Sequence, residues 1–92
     1  MKTPKKRIQK AVQVFLSYGA EEVYLFGSAA SDTMTRGSDI DFAVRGLPPA
    51  NFYKAVGKVL DEVGLSVDVI DLSDNSAFTR NLIEGGKLLR VS

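Results

Sequence analysis

The sequence of residues 23–44 is VYLFGSAASDTMTRGSDIDFAV, and we expect this stretch to decide the fold. It begins with a short apolar, aromatic-rich run that ends at a Gly-Ser pair, which is typical of a buried strand entering a tight turn and a short helix. It ends with a run in which Ile40, Phe42 and Val44 alternate with other residues, as in a strand with one apolar face. The stretch therefore predicts two strands joined through a turn and a loop.

Gly27 and Ser28 form that turn. Backbone N–H groups at the start of a helix point outward and bind phosphate oxygens. Glycine lets a ligand approach closely because it has no Cβ, and the Ser28 hydroxyl can cap the helix or donate to a phosphate oxygen. We therefore expect the turn to face a phosphate group.

Asp39 and Asp41 lie two residues apart in the second run, so their side chains are predicted to project from one face. Neighbouring carboxylates repel each other, and a fold tolerates them when a cation lies between them. A pair of Mg²⁺ ions suits this pattern, because Mg²⁺ prefers oxygen ligands and two ions can activate an attacking oxygen and stabilise a leaving one. The alternative interpretation is structural, with Asp39 as a cap, Asp41 as a solvated strand residue and the Gly-Ser pair as an ordinary turn.

A third carboxylate for such a site comes from the β-branched run over 65–72, which contains Asp68 and Asp71. These two aspartates have opposite parity along the predicted strand and point to opposite faces, so periodicity leaves open which of them joins the site. Asp71 precedes a turn-rich Ser-Asp-Asn-Ser stretch, where a structural aspartate is ordinary.

Three longer helices and a final edge strand complete the predicted architecture. The helices are expected from Pro4 to 18–19, over 50–63 and over 77–84, and the edge strand over 88–91. The buried positions expected in the first two helices are Ile8, Ala11, Val12, Phe15 and Leu16, and then Phe52, Val56, Val59, Leu60 and Val63. We expect an α/β (α+β) fold with a small mixed β-sheet flanked by helices.

The composition restricts the functional classes. The chain has 92 residues, 45% of them hydrophobic, which fits one domain over 1–92 with a single modest core. It contains no cysteine and no histidine, so thiol nucleophiles, zinc–thiolate sites and imidazole bases are excluded. Carboxylates remain the main candidates for base and ligand.

Charge and hydropathy restrict the partners. A formal net charge of +1 argues against direct nucleic-acid binding. We interpret the basic residues near the N-terminus as the solvated face of the first helix, and the alternative is a role in RNA binding or phosphate steering. No apolar run reaches the length of a membrane span, and no signal-peptide core is present. We expect a cytoplasmic protein with no membrane partner.

Four segments, LFGS (25–28), GSDIDFAV (37–44), VDVIDL (67–72) and LIEGGKLL (82–89), together resemble the minimal nucleotidyltransferase (MNT) domains of the DNA polymerase β superfamily, of the MntA-like antitoxin type. The ten-residue spacing between the Gly-Ser pair and Asp-Ile-Asp is specific to this resemblance, which covers residues 23–89. It implies a polymerase β palm-like fold. It also implies a partner, because such domains are commonly encoded with a helical HEPN protein in a toxin–antitoxin pair.

The resemblance further implies roles for individual residues. Gly27 and Ser28 would hold a nucleoside triphosphate, and the carboxylates that bind metal and carry the chemistry would be Asp39, Asp41 and Asp68, with Asp68 rather than Asp71 as the third. The chain departs from its relatives after the Gly-Ser pair, where an arginine is frequent and this sequence has Ala29 and Ala30. The nearest guanidinium is Arg36, which either contacts a nucleotide phosphate or is simply solvated.

The function implied is a Mg²⁺-dependent nucleotidyltransferase that uses two ions to move AMP from ATP onto a hydroxyl of the HEPN partner. A homo-oligomer or a hetero-oligomer with that partner is compatible with a domain of this size. The alternative is a non-catalytic binding module that neutralises its partner by contact alone.

Overall fold

Helices and strands alternate along the chain, and the computed structural model describes residues 4–31, 33–34, 37, 39–64 and 66–92. The elements, in chain order, are α1 (Lys5–Ser17), β1 (Glu22–Phe26), α2 (Gly27–Ser31), β2 (Ile40–Arg45), α3 (Pro49–Val63), β3 (Val67–Asp71), α4 (Ala77–Glu84) and β4 (Leu89–Arg90). Each predicted element is present, with bounds within one or two residues of the prediction. Within these residues, no helix is both long enough and apolar enough to cross a membrane.

The four strands form one sheet in the order β3-β2-β1-β4. Strand β1 pairs antiparallel with both β2 and β4, whereas β2 and β3 are parallel. The parallel pair arises because α3 carries the chain back across the sheet between β2 and β3, as a parallel connection requires. The sheet is therefore mixed, and the predicted α/β fold with helices around a small mixed sheet is confirmed.

The main core lies between one face of this sheet and the helices α1 and α3. Phe15 of α1 packs edge-on against Phe42 of β2, with ring centroids 5.3 Å apart, and both side chains are fully buried. This packing leaves the other face of the sheet free to carry the candidate site.

Two expected core positions are wrong, because Leu16 and Leu60 are exposed to 41% and 44%. The buried stripe of each helix is narrower than its apolar pattern. Ala55, which the pattern did not select, is fully buried in the main core, to which α1 and α3 both contribute. A small side chain lets neighbouring helices approach closely, and the two leucines remain outside this core.

The second sheet face has a smaller apolar cluster built on Phe26, Ala43 and Leu72. Phe78 of α4 packs edge-on against Phe26 at a centroid distance of 6.3 Å. Helix α4 begins at a Ser76 cap, whose Oγ accepts a hydrogen bond from the Thr79 N–H at 3.2 Å. This arrangement anchors α4 next to the end of β1, where the Gly-Ser turn begins.

Candidate active site

Gly27 opens α2 directly after β1 and adopts a φ of +65°. Glycine occupies this left-handed region without steric cost. A Cβ built on Gly27 would lie 2.5 Å from Asp41 Oδ2, which is far inside van der Waals contact. Phe26, the residue before Gly27, is also the register partner of Asp41. The absence of a side chain therefore creates the space in which the Asp41 carboxylate lies, so the turn and the carboxylate adjoin.

Strand β3 brings a second carboxylate to the same place. Asp41 and Asp68 are register partners in the parallel pair, so their side chains leave the sheet on one face. Asp71 pairs instead with Val44, whose side chain is buried in the main core. Its Oδ1 accepts a hydrogen bond from the Ser73 N–H at 2.8 Å, as in an Asx turn. Asp68 thus lies beside Asp41, and Asp71 forms a turn.

The carboxylates of Asp39 and Asp68 act on that of Asp41. Burial raises the pKa of Asp41 above its ordinary value, and the negative charges of Asp68 and Asp39 raise it further. Asp41 is half-buried, whereas Asp39 and Asp68 are exposed. The ion pairs found among the described residues do not include any of the three. Within the described part of the chain, the negative charge of this group is therefore not balanced by an ion pair.

The donor chemistry of this group fits a hard cation such as Mg²⁺, because every side-chain donor is a carboxylate oxygen. The space over Gly27 adds room beside Asp41 Oδ2. In the part of the chain that the structure describes, no three acidic side chains stand close enough together to form a complete metal site. Mg²⁺ usually takes one or two protein carboxylates and completes its shell with water and substrate phosphates. These aspartates therefore fit Mg²⁺ as the protein part of its ligand set.

The residues after Gly27 differ in their surroundings. Ser28 is half-buried, and its carbonyl oxygen accepts a hydrogen bond from the Thr33 N–H at 2.9 Å. Ala29 is only 3% exposed and belongs to the main core, so a long charged side chain at this position would be buried. Arg36, the predicted phosphate contact, lies outside the described residues.

A cavity of about 530 Å³ adjoins the Gly-Ser turn on its β4 side. Gly27, Ala30 and Ser31 line one wall, and the segment between α4 and β4, including Lys87, lines the other. Sequence reasoning gave no role to Lys87. Its place opposite the turn depends on the pairing of β4 with β1, which no local pattern specifies.

Comparison with protein families gives a match to the family described as "Polymerase beta, Nucleotidyltransferase" over residues 9–91. The matched range includes the Gly-Ser turn and every carboxylate discussed above. Comparison with curated proteins gives no match.

Several solved structures have a similar fold. A toxin–antitoxin complex with AMP-PNP is 24% identical, with a TM-score of 0.70 over 95% of this chain and 71% of that chain. A minimal nucleotidyltransferase is 16% identical, with a TM-score of 0.76 over 100% of this chain and 96% of that one. A complex of a tri-AMPylated Shewanella oneidensis HEPN toxin with an MNT antitoxin is 20% identical, with a TM-score of 0.68 over 94% and 69%. These likenesses establish the fold, and the predicted resemblance to minimal nucleotidyltransferases is confirmed.

Proposed function

Because this chain belongs to the polymerase beta nucleotidyltransferase family, we propose that it transfers AMP from ATP to a hydroxyl group of a helical HEPN-type protein. The proposed unit is a single domain over 1–92, and its role is that of an antitoxin that modifies its toxin. The family supports the reaction class. The neighbouring structures that contain AMP-PNP and an AMPylated HEPN toxin support the choice of nucleotide and partner.

One observation carries the proposal. The Asp41 carboxylate lies directly against Gly27, and Asp68 is its cross-strand neighbour. A phosphate-binding turn and two carboxylates on adjacent strands are the parts that metal-assisted nucleotidyl transfer needs within reach of one phosphorus atom. A solvated structural aspartate would need neither the glycine nor a second carboxylate beside it.

The proposed roles follow from this arrangement. Gly27 and Ser28 bind the β- and γ-phosphates, while Asp39, Asp41 and Asp68 would hold two Mg²⁺ ions. Bound Mg²⁺ would supply charge neutralisation for the phosphates and for the oxygens that attack and leave.

The reaction exchanges one bond to the α-phosphorus for another. The acceptor oxygen forms a bond to this atom, and the bond from it to the bridging oxygen breaks and releases pyrophosphate. Asp68 takes the proton of the acceptor hydroxyl, since it is exposed and a docked protein can reach it.

A second candidate function is neutralisation of the partner by contact alone, with the nucleotide site vestigial. Two observations favour it. Ala29 and Ala30 offer no polar side chain to a nucleotide, and the described carboxylates do not form a complete metal site. Under this function, the aspartates would be dispensable for protection against the partner.

Transfer to a candidate partner distinguishes the two functions. We would incubate the protein with labelled ATP, Mg²⁺ and a helical HEPN-type protein encoded by the neighbouring gene, and analyse the partner by mass spectrometry. The wild type should add one or more AMP units to a tyrosine, serine or threonine hydroxyl. The double variant Asp39→Ala/Asp41→Ala should still bind the partner but transfer nothing.

The contrary outcome is equally clear. If the double variant protects cells from the partner as well as the wild type does, and neither changes the mass of the partner, then contact neutralisation is the function.

A further inference from the structure

Lys87 lies across the cavity from the Gly-Ser turn. Strands β1 and β4 are antiparallel, with Leu25 opposite Leu89, so the end of β1 lies beside the start of β4. Gly27 directly follows β1, Lys87 lies just before β4, and both line one cavity. The cavity between them has a volume of about 530 Å³ and is lined on the turn side by the small residues Ala30 and Ser31. A bulky anion therefore has room between the lysine and the turn.

Backbone contacts fix the position of this lysine. The Lys87 N–H donates to the Leu82 carbonyl at 3.4 Å, and the Gly86 N–H donates to the Ile83 carbonyl at 3.3 Å. A Cβ built on Gly85 would lie 3.6 Å from Lys87 Cε, so the aliphatic stem of the lysine passes over this glycine. The end of α4 thus fixes the segment through which Lys87 lines the cavity.

No ion pair within the described part of the chain compensates the charge of Lys87. The lysines that form ion pairs in the described residues are Lys10 and Lys58, which both pair with Glu62. Lys87 is exposed and forms no such pair there. Among the described residues that line the cavity, Lys87 is the cationic one and the others are neutral.

We propose that Lys87 binds the β- and γ-phosphates of the nucleoside triphosphate from the side opposite Gly27 and Ser28. The aspartates attract the metal, and Lys87 attracts the part of the nucleotide that leaves as pyrophosphate. Since a monophosphate lacks these groups, Lys87 makes the site selective for triphosphates. This inference rests on the proposed function.

Binding measurements with two nucleotides test it. Mg-ATP and AMP are titrated into the wild type, Lys87→Ala, Lys87→Arg and the matched control Lys54→Ala, which removes an exposed lysine of α3. Loss of a hydrogen bond to a charged group should weaken Mg-ATP binding of Lys87→Ala about tenfold. AMP binding should change by less than about twofold, since general charge effects at a surface are small. Lys87→Arg keeps the charge and should recover most of the Mg-ATP affinity.

Each remaining outcome is decisive. Three results would overturn the inference and leave the proposed function intact. Lys87→Ala could bind Mg-ATP as tightly as the wild type, it could lose as much affinity for AMP as for Mg-ATP, or Lys54→Ala could lose as much Mg-ATP affinity as Lys87→Ala. A wild type that binds no Mg-ATP overturns the proposed function and this inference with it. Thermal melts that match the wild type verify that the variants are folded.

Discussion

Two carboxylate environments lie at opposite ends of one sheet face. At one end, Glu22 is opposite Arg45, and its Oε1 accepts hydrogen bonds from the Tyr24 hydroxyl at 2.6 Å and from Arg45 Nε at 3.2 Å. Arg90 lies 3.6 Å from its other oxygen. The Tyr24 hydrogen bond, aided by the two arginines, lowers the pKa of Glu22 below its ordinary value. At the other end, burial and two neighbouring carboxylates raise the pKa of Asp41.

Under the proposed function, the difference is that between a structural carboxylate and one that binds a metal ion. The chain itself supplies the donors that stabilise the charge of Glu22, so this end of the sheet needs nothing further. Around Asp41 the chain supplies more negative charge and a glycine that makes room. An arrangement that disfavours its own charged state persists where function requires it, and a bound cation is what would relieve it.

The largest expected effect is on transfer activity. Asp68→Ala should lower AMP transfer by about 10³-fold or more, because the proposed function makes Asp68 both a metal ligand and the group that accepts the proton. Glu22→Gln, a carboxylate change on the same sheet face, should leave transfer nearly unchanged. Rates of label transfer to the partner measure both.

Asp71→Ala sharpens this comparison within β3. It should mainly alter stability, because Asp71 serves the turn at Ser73. Comparable loss of activity in folded Asp68→Ala and Asp71→Ala would mean that the assignment of Asp68 is wrong.

An intermediate effect is expected at Gly27. Its φ of +65° is nearly that of Gly64, at +70°, but a Cβ at Gly64 would meet nothing within 4 Å. Gly27→Ala and Gly64→Ala should therefore share a backbone destabilisation of about 1–2 kcal/mol. Only Gly27→Ala should displace the Asp41 carboxylate and lower transfer, by about 10²-fold. Denaturant unfolding and transfer rates measure the two effects, and equal activity in the two variants would contradict the close fit of turn and carboxylate.

The smallest effects are opposite shifts in stability without Mg²⁺. The pKa of Asp41 is raised on folding, so protonation of this carboxyl stabilises the folded state. This contribution to stability is fully present below the ordinary pKa of 3.8 and is lost as the pH rises through the folded pKa. The pKa of Glu22 is lowered on folding, so its charged form stabilises the folded state. This contribution to stability is fully present above the ordinary pKa of 4.5 and is lost as the pH falls through the folded pKa. At neutral pH, Asp41→Asn should therefore melt above the wild type and Glu22→Gln below it.

Both shifts should shrink as the pH falls through the folded pKa of each carboxyl, because the wild-type side chain then becomes neutral like its amide replacement. Thermal melts over a pH series from neutral to acidic measure them. Shifts in the same direction for both variants would show that the two ends of the sheet do not differ as described.

Local patterns were sufficient to predict most of the fold. The alternation of Ile40 and Phe42 and the Gly-Ser pair after an apolar run are short-range signals, and they predicted the turn and both strands around it. Residues two apart on one strand share a face, so the pairing of Asp39 and Asp41 was also a local inference.

What the sequence did not predict depends on contacts between distant segments. The residues alone did not decide whether Asp68 or Asp71 is the third carboxylate. The register between β2 and β3 decides which of them lies beside Asp41. Lys87 was missed for the same reason at the β1–β4 pairing. Leu60 was misassigned because the width of a buried helical stripe is set by the neighbouring helix.

Thermal unfolding with Mg-ATP tests most directly whether the aspartates beside the Gly-Ser turn hold a metal-bound nucleotide. At a ligand concentration a hundred times its Kd, the wild type should gain about 2.7 kcal/mol of stability. This gain should require Mg²⁺ and ATP together and should be absent from folded Asp39→Asn and Asp41→Asn. No gain in the wild type, or an equal gain in the asparagine variants, would contradict the assignment.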